Sequence, residues 1–173
     1  READLNFLKN KTIGILGYGS QGRAQAQNLA DSGFKAIIGL PSKSKSRKAA
    51  AKDGFKVYLP EEIPLKADII CFLAPDHLHS EIFNKSIAKN LKSGQALIFA
   101  AGFSIHFKLI KPPKYVDVIL VAPAGPGRLM RELFLQNQGI PALLAVGQNY
   151  SKKAQKIGLA YAKGIGCSNA FVM

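Results

Sequence analysis

Near the start of the chain stands the sequence KTIGILGYGSQG, residues Lys11–Gly22, in which an apolar run leads directly into a glycine-rich turn. Residues 23–30 have the composition of a helix, and Ser32-Gly33 ends it. A strand, a Gly-x-Gly-x-x-Gly turn and a helix in this order are typical of the first βαβ unit of a dinucleotide-binding domain. The order predicts a strand over residues 12–17 and a helix over residues 21–32.

Each glycine of this turn has a separate physical role. Gly17 permits the tight turn, Gly19 lets a pyrophosphate approach the backbone, and Gly22 lets the helix lie close to the strand. The first turn of a helix carries amide groups without intrahelical acceptors, and the helix dipole adds partial positive charge there. The turn therefore predicts a pyrophosphate site, with a purely structural turn as the alternative.

Length and composition favour a single α/β domain. The chain has 173 residues, of which 47% are hydrophobic, and a chain of this size buries roughly 70% of its unfolded surface. No apolar run reaches the ~18 residues of a membrane span, and the start does not have a signal-peptide profile. We therefore expect no membrane partner.

The two cysteines, Cys71 and Cys167, are far apart and show no metal-ligand spacing. Cys71 stands in an apolar run and is expected to be a buried small hydrophobe. This use of cysteine favours a reducing compartment, which is the cytoplasm, or the organelle stroma in a eukaryote.

The formal net charge of +13 is unusual for a chain of this length. The cations are spread along the sequence apart from one concentrated run at Lys43–Lys48. Three explanations stay open: a solvated surface, a surface that faces an acidic domain outside this chain, and an electrostatic site for nucleic acid. No aromatic and basic motif of the RNA-binding kind accompanies the cations, so we do not expect nucleic acid as a partner.

Strand-like and helix-like segments alternate along the whole chain, which is typical of βαβ units around a parallel sheet. Besides residues 12–17, strands are predicted at residues 36–40, 55–58, 68–73, 96–100, 116–121 and 142–146. Besides residues 21–32, helical segments are predicted at residues 45–53, 60–62, 76–83 and 151–163. The predicted fold is a Rossmann-like α/β domain spanning residues 1–173, with a doubly wound, mostly parallel sheet and helices on both faces. Its ligand crevice is expected at the carboxyl ends of the strands.

The residues after the second predicted strand favour NADP over NAD. An Asp or Glu at the end of this strand reads the ribose 2′-hydroxyl of NAD, but here residues 39–47 read GLPSKSKSR, with hydroxyls and cations and no acid. Each charge-assisted hydrogen bond from these side chains to a 2′-phosphate is worth about 1.5–3 kcal/mol. A basic, solvated loop without a ligand is the alternative. The candidate phosphate ligands are Lys43, Ser44, Lys45, Ser46 and Arg47.

Motifs along nearly the whole chain make it similar to one family. GYGSQG is followed by the pattern Ala-x-Ala-x-Asn-Leu, and LAPD (residues 73–76) and GFSIHF (residues 102–107) follow the fourth and fifth strands. VAPAGPG (residues 121–127) and AYAKGIG (residues 160–166) come later. In these motifs and in their order the chain resembles the N-terminal NADP-binding domain of ketol-acid reductoisomerase, also called acetohydroxy acid isomeroreductase.

The resemblance implies an oxidoreductase of branched-chain amino-acid biosynthesis, on the route to isoleucine and valine. The family converts 2-acetolactate or 2-aceto-2-hydroxybutyrate by a Mg²⁺-dependent alkyl migration followed by reduction with NADPH. By position, the family's NADP(H) contacts correspond to the pyrophosphate turn at Tyr18, Gly19, Ser20 and Gln21, the 2′-phosphate ligands Ser44 and Ser46, the segment Asp76–His79 beside the cofactor, and Gly127 near the nicotinamide.

The chain departs from the family pattern at positions that matter for chemistry. The family's catalytic histidine corresponds to Ala101, whereas His106 corresponds to a second histidine of the family. Ala124 stands where the family has a lysine, and Pro41 where an arginine is common. We therefore assign no catalytic residue to this chain, because loss of a general acid–base group typically costs about 10²–10⁴-fold in rate.

The family's second, helical domain carries the carboxylate ligands of two Mg²⁺ ions and closes the substrate pocket. That domain is expected to be absent here, because the chain ends at Met173. We therefore expect no metal ligands in this chain, NADPH as its ligand, and Mg²⁺ and substrate only in the complete enzyme. The expectation is a domain that is inactive in isolation, and it is compatible with a homo-oligomer. The alternatives are a degenerate, non-catalytic nucleotide-binding or regulatory relative, and another NADP-dependent dehydrogenase.

Two histidines lie in the segment after the fourth strand. His77 and His79 are spaced i, i+2, so they fall on different sides of a helix and do not readily share a metal ion. We expect both at the surface or at the rim of the cofactor site. Asp76 is expected to cap the amino end of that helix.

Overall fold

The computed structural model of the chain describes the backbone of residues 3–172 and the side chains of residues 3–167. Its strands are β1 (Thr12–Leu16), β2 (Lys35–Gly39), β3 (Lys56–Tyr58), β4 (Ile69–Phe72), β5 (Ala96–Phe99), β6 (Asp117–Pro123), β7 (Ile140–Gln148) and β8 (Cys167–Val172). They form one sheet in the order β3-β2-β1-β4-β5-β6-β7-β8. All neighbouring pairs are parallel except β6 and β7, which are antiparallel.

Seven α-helical segments connect these strands within the described residues. They are α1 (Ser20–Asp31), α2 (Ser46–Lys52), α3 (Ile63–Lys66), α4 (Asp76–Ile82), α5 (Phe103–His106), α6 (Gly127–Leu135) and α7 (Ala154–Gly164). Short 3-10 turns lie at residues 5–8, 60–62 and 88–90, and a π-helical turn follows α4 at residues 83–87. Among the described helices, none has the length and apolar character needed to cross a bilayer.

The buried side chains of the sheet alternate between two hydrophobic clusters, one on each face. On β4, Ile69 and Cys71 belong to the cluster formed with α1 and α7, whereas Ile70 and Phe72 belong to the cluster formed with α3 and the π-helical turn. Because successive strand residues point to opposite faces, helices must cover both faces to bury both clusters. The doubly wound, mostly parallel fold predicted from the sequence is confirmed.

The sheet order places a topological switch point between β1 and β4. The chain moves from β1 to β2 and β3 on one side, and then crosses back to β4 on the other side. The carboxyl ends of β1 and β4 are therefore neighbours, and the amide of Leu73 donates to the carbonyl of Leu16 at 2.9 Å. In open α/β sheets this crevice is where ligands bind.

Several elements differ from those predicted from the sequence. All seven predicted strands are present, but β8, α3, α5 and α6 were not predicted. The sequence carries a signal for α6, because Leu129, Met130 and Leu133 have the i, i+1, i+4 spacing of an apolar helix face.

Ile63 of α3 gives a direct test of the second cluster. Its side chain is 0% exposed and packs over Gly14 and Gly39, where neighbouring strands carry no side chain. We expect Ile63→Ala to lower the free energy of unfolding by about 2–5 kcal/mol, because it leaves a cavity. Leu65→Ala is the matched control on the same helix: Leu65 is 53% exposed, so its change is expected within about 0.5 kcal/mol. Urea unfolding measures both, and equal losses would contradict the packing described.

Candidate functional site

The turn after β1 brings the backbone against the loop after β4. Gly17 has a φ of +102°, a conformation that favours glycine. A Cβ on Gly17 would lie only 2.6 Å from the amide nitrogen of Ala74. The turn can therefore approach the neighbouring loop only without a side chain at this position.

The first turn of α1 opens into the crevice at the switch point. Its N-cap is Gly19, which has no side chain that could cap the helix. The first amide that donates within the helix is that of Arg23, 2.9 Å from the carbonyl oxygen of Gly19. The amides of Ser20, Gln21 and Gly22 precede it, so they have no acceptor within the helix. A Cβ on Gly19 would meet nothing within 4 Å, so the space above the turn is open. These amides and this space fit the diphosphate of a dinucleotide.

The amino end of α6 lies directly on this turn. Gly127 is buried, and a Cβ there would collide with the carbonyl oxygen of Ser20. The side-chain amide of Gln21 donates to the carbonyl of Gly125 at 2.8 Å. A cleft of about 550 Å³ opens beside the two helix ends and is lined in part by Tyr18, Gly19, Ser20, Arg23, Gly127 and Arg128.

Tyr18 lines the turn with its backbone, whereas its side chain is structural. The side chain is 6% exposed, and its hydroxyl donates to Oδ2 of Asp53, the residue after α2, at 2.8 Å. Burial, then the Asp53 carboxylate, raises the pKa of the Tyr18 hydroxyl, which stays protonated at neutral pH. The ring also makes an edge contact with Phe55 at 6.0 Å between centroids.

Asp53 is the centre of an ion-pair network that the sequence analysis missed. Arg23 donates to both of its carboxylate oxygens, at 2.7 and 3.1 Å, and Gln27 donates at 3.3 Å. Hydrogen bonding from Arg23 holds the pKa of the Asp53 carboxyl below its usual range. No local motif marks this pair, because the two residues are 30 positions apart.

The loop after β2 presents hydroxyls and cations to solvent. Lys43 and Lys45 are exposed, and Ser44 and Ser46 are partly exposed. The amide of Ser46 donates to Oγ of Ser44 at 3.3 Å, so the two hydroxyl side chains lie in one tight turn. Within residues 3–167, no carboxylate forms an ion pair with either lysine.

Arg47 is engaged with the backbone rather than free in this loop. Its guanidinium donates to the carbonyl of Leu40 at 2.7 Å, and lies 3.4 Å from the carbonyl of Tyr58 and 3.5 Å from that of Val57. These bonds tie the ends of β2 and β3 together. Arg47 therefore orders the loop that carries the other candidate ligands.

The segment after β4 gives two corrections. His79 is 1% exposed, so its side chain is neither at the surface nor at the rim, and only His77 is exposed as expected. The His79 ring faces the sheet, 5.6 Å from the Phe72 ring centroid. Asp76 is not the helix cap, because α4 begins at Asp76 itself and Pro75 is the N-cap.

His79 supports the loop that Gly17 contacts. Its Nε2 lies 2.7 Å from the carbonyl oxygen of Ala74, and its Nδ1 lies 3.2 Å from Oγ of Ser104 on α5. Because a carbonyl oxygen only accepts, Nε2 carries a proton and donates. The imidazole thus ties together the loops after β4 and β5 at the carboxyl edge.

The positions that depart from the family pattern also lie at this edge. Ala101 is partly exposed after β5, and Ala124 is exposed after β6. His106 is exposed at the end of α5, with its ring 4.9 Å from that of Phe107. Within residues 3–167, no three His, Cys, Asp or Glu side chains are grouped so that they could hold a metal ion.

The Asp53 network predicts a pH-dependent contribution to stability. The pKa of Asp53 is lower in the folded state than in the unfolded chain, where it is about 3.9. Its contribution is therefore present above pH 4 and is lost as the pH falls through the folded pKa. We expect Asp53→Asn to reduce the free energy of unfolding by about 1 kcal/mol at pH 7, and by less at pH 3. Urea unfolding at several pH values measures this difference.

Glu132→Gln is the matched control, since it breaks the Arg128–Glu132 pair, which is 88% and 50% exposed. An exposed pair contributes little, so this variant is expected to follow the unchanged protein across the pH range. A constant difference between Asp53→Asn and the unchanged protein from pH 7 to pH 3 would contradict the assignment.

Comparison with known proteins places the chain in a family. Residues 7–170 match the family described as acetohydroxy acid isomeroreductase, NADPH-binding domain. The chain is 56% identical over 173 residues to a ketol-acid reductoisomerase (NADP(+)) of Petrotoga mobilis (strain DSM 10674 / SJ95), and 48% identical to one of Clostridioides difficile (strain 630). Both alignments cover 100% of this chain but 52% and 53% of those relatives. The chain therefore spans about half the length of the curated relatives it matches.

A solved structure leads to the same family. An NADH-preferring ketol-acid reductoisomerase from an uncultured archean superimposes with a TM-score of 0.95 and 39% sequence identity, covering 99% of this chain and 54% of that one. The resemblance drawn from the motifs is confirmed, NADP(H) is confirmed as the cofactor of the matched family, and the alternative of another NADP-dependent dehydrogenase is set aside. The chain belongs to the acetohydroxy acid isomeroreductase family, as its NADPH-binding domain.

Proposed function

We propose that this chain binds NADPH across the carboxyl edge of β1, β2 and β4, with the diphosphate on the first turn of α1. The observation that carries the proposal is the open, uncapped amino end of α1 at the switch point of the sheet. Amides without acceptors and the positive end of the helix dipole attract an anion there. The cofactor residues of this turn are Gly17, Tyr18, Gly19, Ser20, Gln21 and Gly22, with Tyr18 contributing its backbone.

The loop after β2 is proposed to bind the 2′-phosphate of NADPH. The hydroxyls of Ser44 and Ser46 donate hydrogen bonds to this dianion, and the ammonium groups of Lys43 and Lys45 offset its charge. Arg47 acts by holding the loop through the Leu40 carbonyl. The NADH preference stated for one relative indicates that family membership alone does not set the preference between the two cofactors. We propose that the residues of this loop set the preference.

The nicotinamide end is proposed to lie toward the loops after β4 and β6. The segment Asp76–His79 borders this region, with Asp76 and His77 exposed. Gly127 forms the opposite wall beside Ser20. His79 contributes indirectly, because its hydrogen bond fixes the carbonyl of Ala74 in the loop after β4. When bound, NADPH supplies the hydride for reduction, and the residues named here hold and orient it.

The activity of the longer family enzyme comes to this chain only as a proposal. We propose that the chain serves a ketol-acid reductoisomerase acting on 2-acetolactate-type substrates, with Mg²⁺ ligands supplied by a part of the protein outside this chain. The residues described here do not fit Mg²⁺, since they hold no suitable group of ligands. The side chain of Ala101 offers no proton donor or acceptor.

A second candidate function is a nucleotide-binding protein without catalysis. Ala101 and Ala124 favour it, because methyl groups stand where the family has a histidine and a lysine. Both candidates bind NADPH, so binding does not separate them. Oxidation of NADPH by the complete protein encoded by the gene, in the presence of Mg²⁺ and 2-acetolactate, separates them: turnover supports the reductoisomerase, and its absence supports the non-catalytic relative.

The double variant Ser44→Ala/Ser46→Ala tests the 2′-phosphate site. Each hydroxyl lost removes a hydrogen bond to a charged group, so NADPH affinity is expected to fall by about tenfold or more. NADH has no 2′-phosphate, and its affinity is expected to stay within about twofold. Isothermal titration calorimetry with both cofactors measures the change.

Ser86→Ala is the matched control, because Ser86 lies in the π-helical turn at residues 83–87, which packs in the hydrophobic cluster on the face of the sheet opposite α1. It is expected to leave both affinities unchanged. Equal weakening of NADPH and NADH in the double variant would show that the loop does not read the 2′-phosphate. No binding of either cofactor by the unchanged chain would contradict the proposed function as a whole.

A further inference from the structure

A row of hydrogen-bonded side chains runs through the protein from α7 to the turn after β6. The hydroxyl of Tyr161 donates to Oε1 of Gln25 at 2.6 Å. Nε2 of Gln25 donates to Oε1 of Gln21 at 2.9 Å, and Nε2 of Gln21 donates to the carbonyl of Gly125 at 2.8 Å. Tyr161 is 0% exposed and Gln25 1% exposed, so the row passes through the core.

Each bond of this row fixes the orientation of the next group. A carbonyl oxygen only accepts, so the Gly125 carbonyl requires the amino group of Gln21, and the oxygen of Gln21 then faces the amino group of Gln25. The oxygen of Gln25 is left facing α7, where the Tyr161 hydroxyl donates to it. Burial raises the pKa of Tyr161 well above its ordinary value, so the hydroxyl keeps its proton at neutral pH.

The far end of the row holds the wall of the cofactor cleft. Gly125 precedes the first turn of α6, and Gly127 within that turn packs on the carbonyl of Ser20. The N-cap of α6, Pro126, makes no side-chain hydrogen bond. The bond from Gln21 to the Gly125 carbonyl ties this turn to α1, and further along α6 Arg131 bonds Asn28 and Asp31 of α1.

We propose that Gln25 and Tyr161 are positioning residues for the bound dinucleotide: acting through Gln21, they hold the turn Gly125–Gly127 at the diphosphate and nicotinamide end of the cleft. This inference rests on the proposed function, since it presupposes that NADPH lies between the first turns of α1 and α6. Neither residue touches the cofactor.

The burial of the row supports a positioning role. Burying a polar side chain costs free energy unless it is hydrogen-bonded, and apolar residues of similar shape serve a core equally well. A fully satisfied buried network rigidifies the segments that it joins. Here it joins α7, α1 and the turn after β6, and the turn is the part that the cofactor meets.

The variants Tyr161→Phe and Gln25→Leu test this role. Tyr161→Phe keeps the ring and removes only the hydroxyl, so the buried oxygen of Gln25 loses its donor and Gln25 no longer holds Gln21 in place. NADPH affinity is expected to fall by about fivefold to tenfold in both variants, as for loss of one neutral hydrogen bond. The affinity for adenosine 2′-monophosphate, which carries the 2′-phosphate but no diphosphate, is expected to stay within about twofold. Calorimetry below the unfolding transition measures both ligands.

Nuclear magnetic resonance of the ¹⁵N-labelled chain gives a readout that stability alone does not move. The amide signals of Gly125 and Gly127 are expected to shift or broaden in Tyr161→Phe without ligand, whereas those of Ser44 and Ser46 stay in place. Tyr150→Phe is the matched control. The Tyr150 hydroxyl also has a hydrogen-bond partner, since it accepts from Ser93 at 3.0 Å. Tyr150 is 49% exposed, however, so its hydroxyl lies outside the buried row.

Each outcome decides the proposal. NADPH affinities unchanged in both variants, or equal weakening of NADPH and adenosine 2′-monophosphate, would overturn the positioning role and leave the proposed function standing. No NADPH binding by the unchanged chain would overturn both. Loss confined to NADPH, with shifted Gly125 and Gly127 signals, supports the role.

Discussion

Contact between backbone and backbone around the first turn of α1 is the constraint on which this site depends. Gly17 lies against the amide of Ala74, and Gly127 lies against the carbonyl of Ser20. Because no side chain separates them, the segments after β1, β4 and β6 converge on one crevice. The same absence of side chains leaves the amides of α1 open toward that crevice. The absence of side chains at these glycines therefore both lets the loops come together and leaves room for an anion.

Each loop around the crevice is held by a polar side chain that a sequence pattern would assign to the ligand. His79 holds the loop after β4 through the Ala74 carbonyl, Arg47 holds the loop after β2 through the Leu40 carbonyl, and Gln21 holds the turn after β6. A dinucleotide makes many weak contacts over a long path, and these gain affinity only if the loops are already in place. The anchoring side chains supply that preorganisation.

The fold could be predicted from the sequence because its signals are local. Apolar runs and glycine turns mark β1 to β7, and the GYGSQG motif marks the switch point at which the crevice forms. The antiparallel direction of β7 could not be predicted, since it depends on how α6 returns the chain to the sheet rather than on β7 itself. α6 was missed, although its apolar spacing was visible.

The chemistry of individual side chains was harder to predict, because their partners are distant in sequence. Tyr161 and Gln25 are 136 positions apart, and Arg23 and Asp53 are 30 apart. Nothing near Tyr161 marks it as a partner of the cofactor turn. His79 was placed at the rim because helix periodicity alone does not show which face meets the sheet. The role of His79 in holding the Ala74 carbonyl follows from its burial rather than from its residue type.

Titration of the ¹⁵N-labelled chain with NADPH, followed by nuclear magnetic resonance, tests most directly whether the open amino end of α1 receives the diphosphate. We expect saturable shifts at the amides of Ser20, Gln21 and Gly22, accompanied by smaller shifts along the loop after β2. Saturable shifts confined to another part of the chain, with these three amides unmoved, would contradict it.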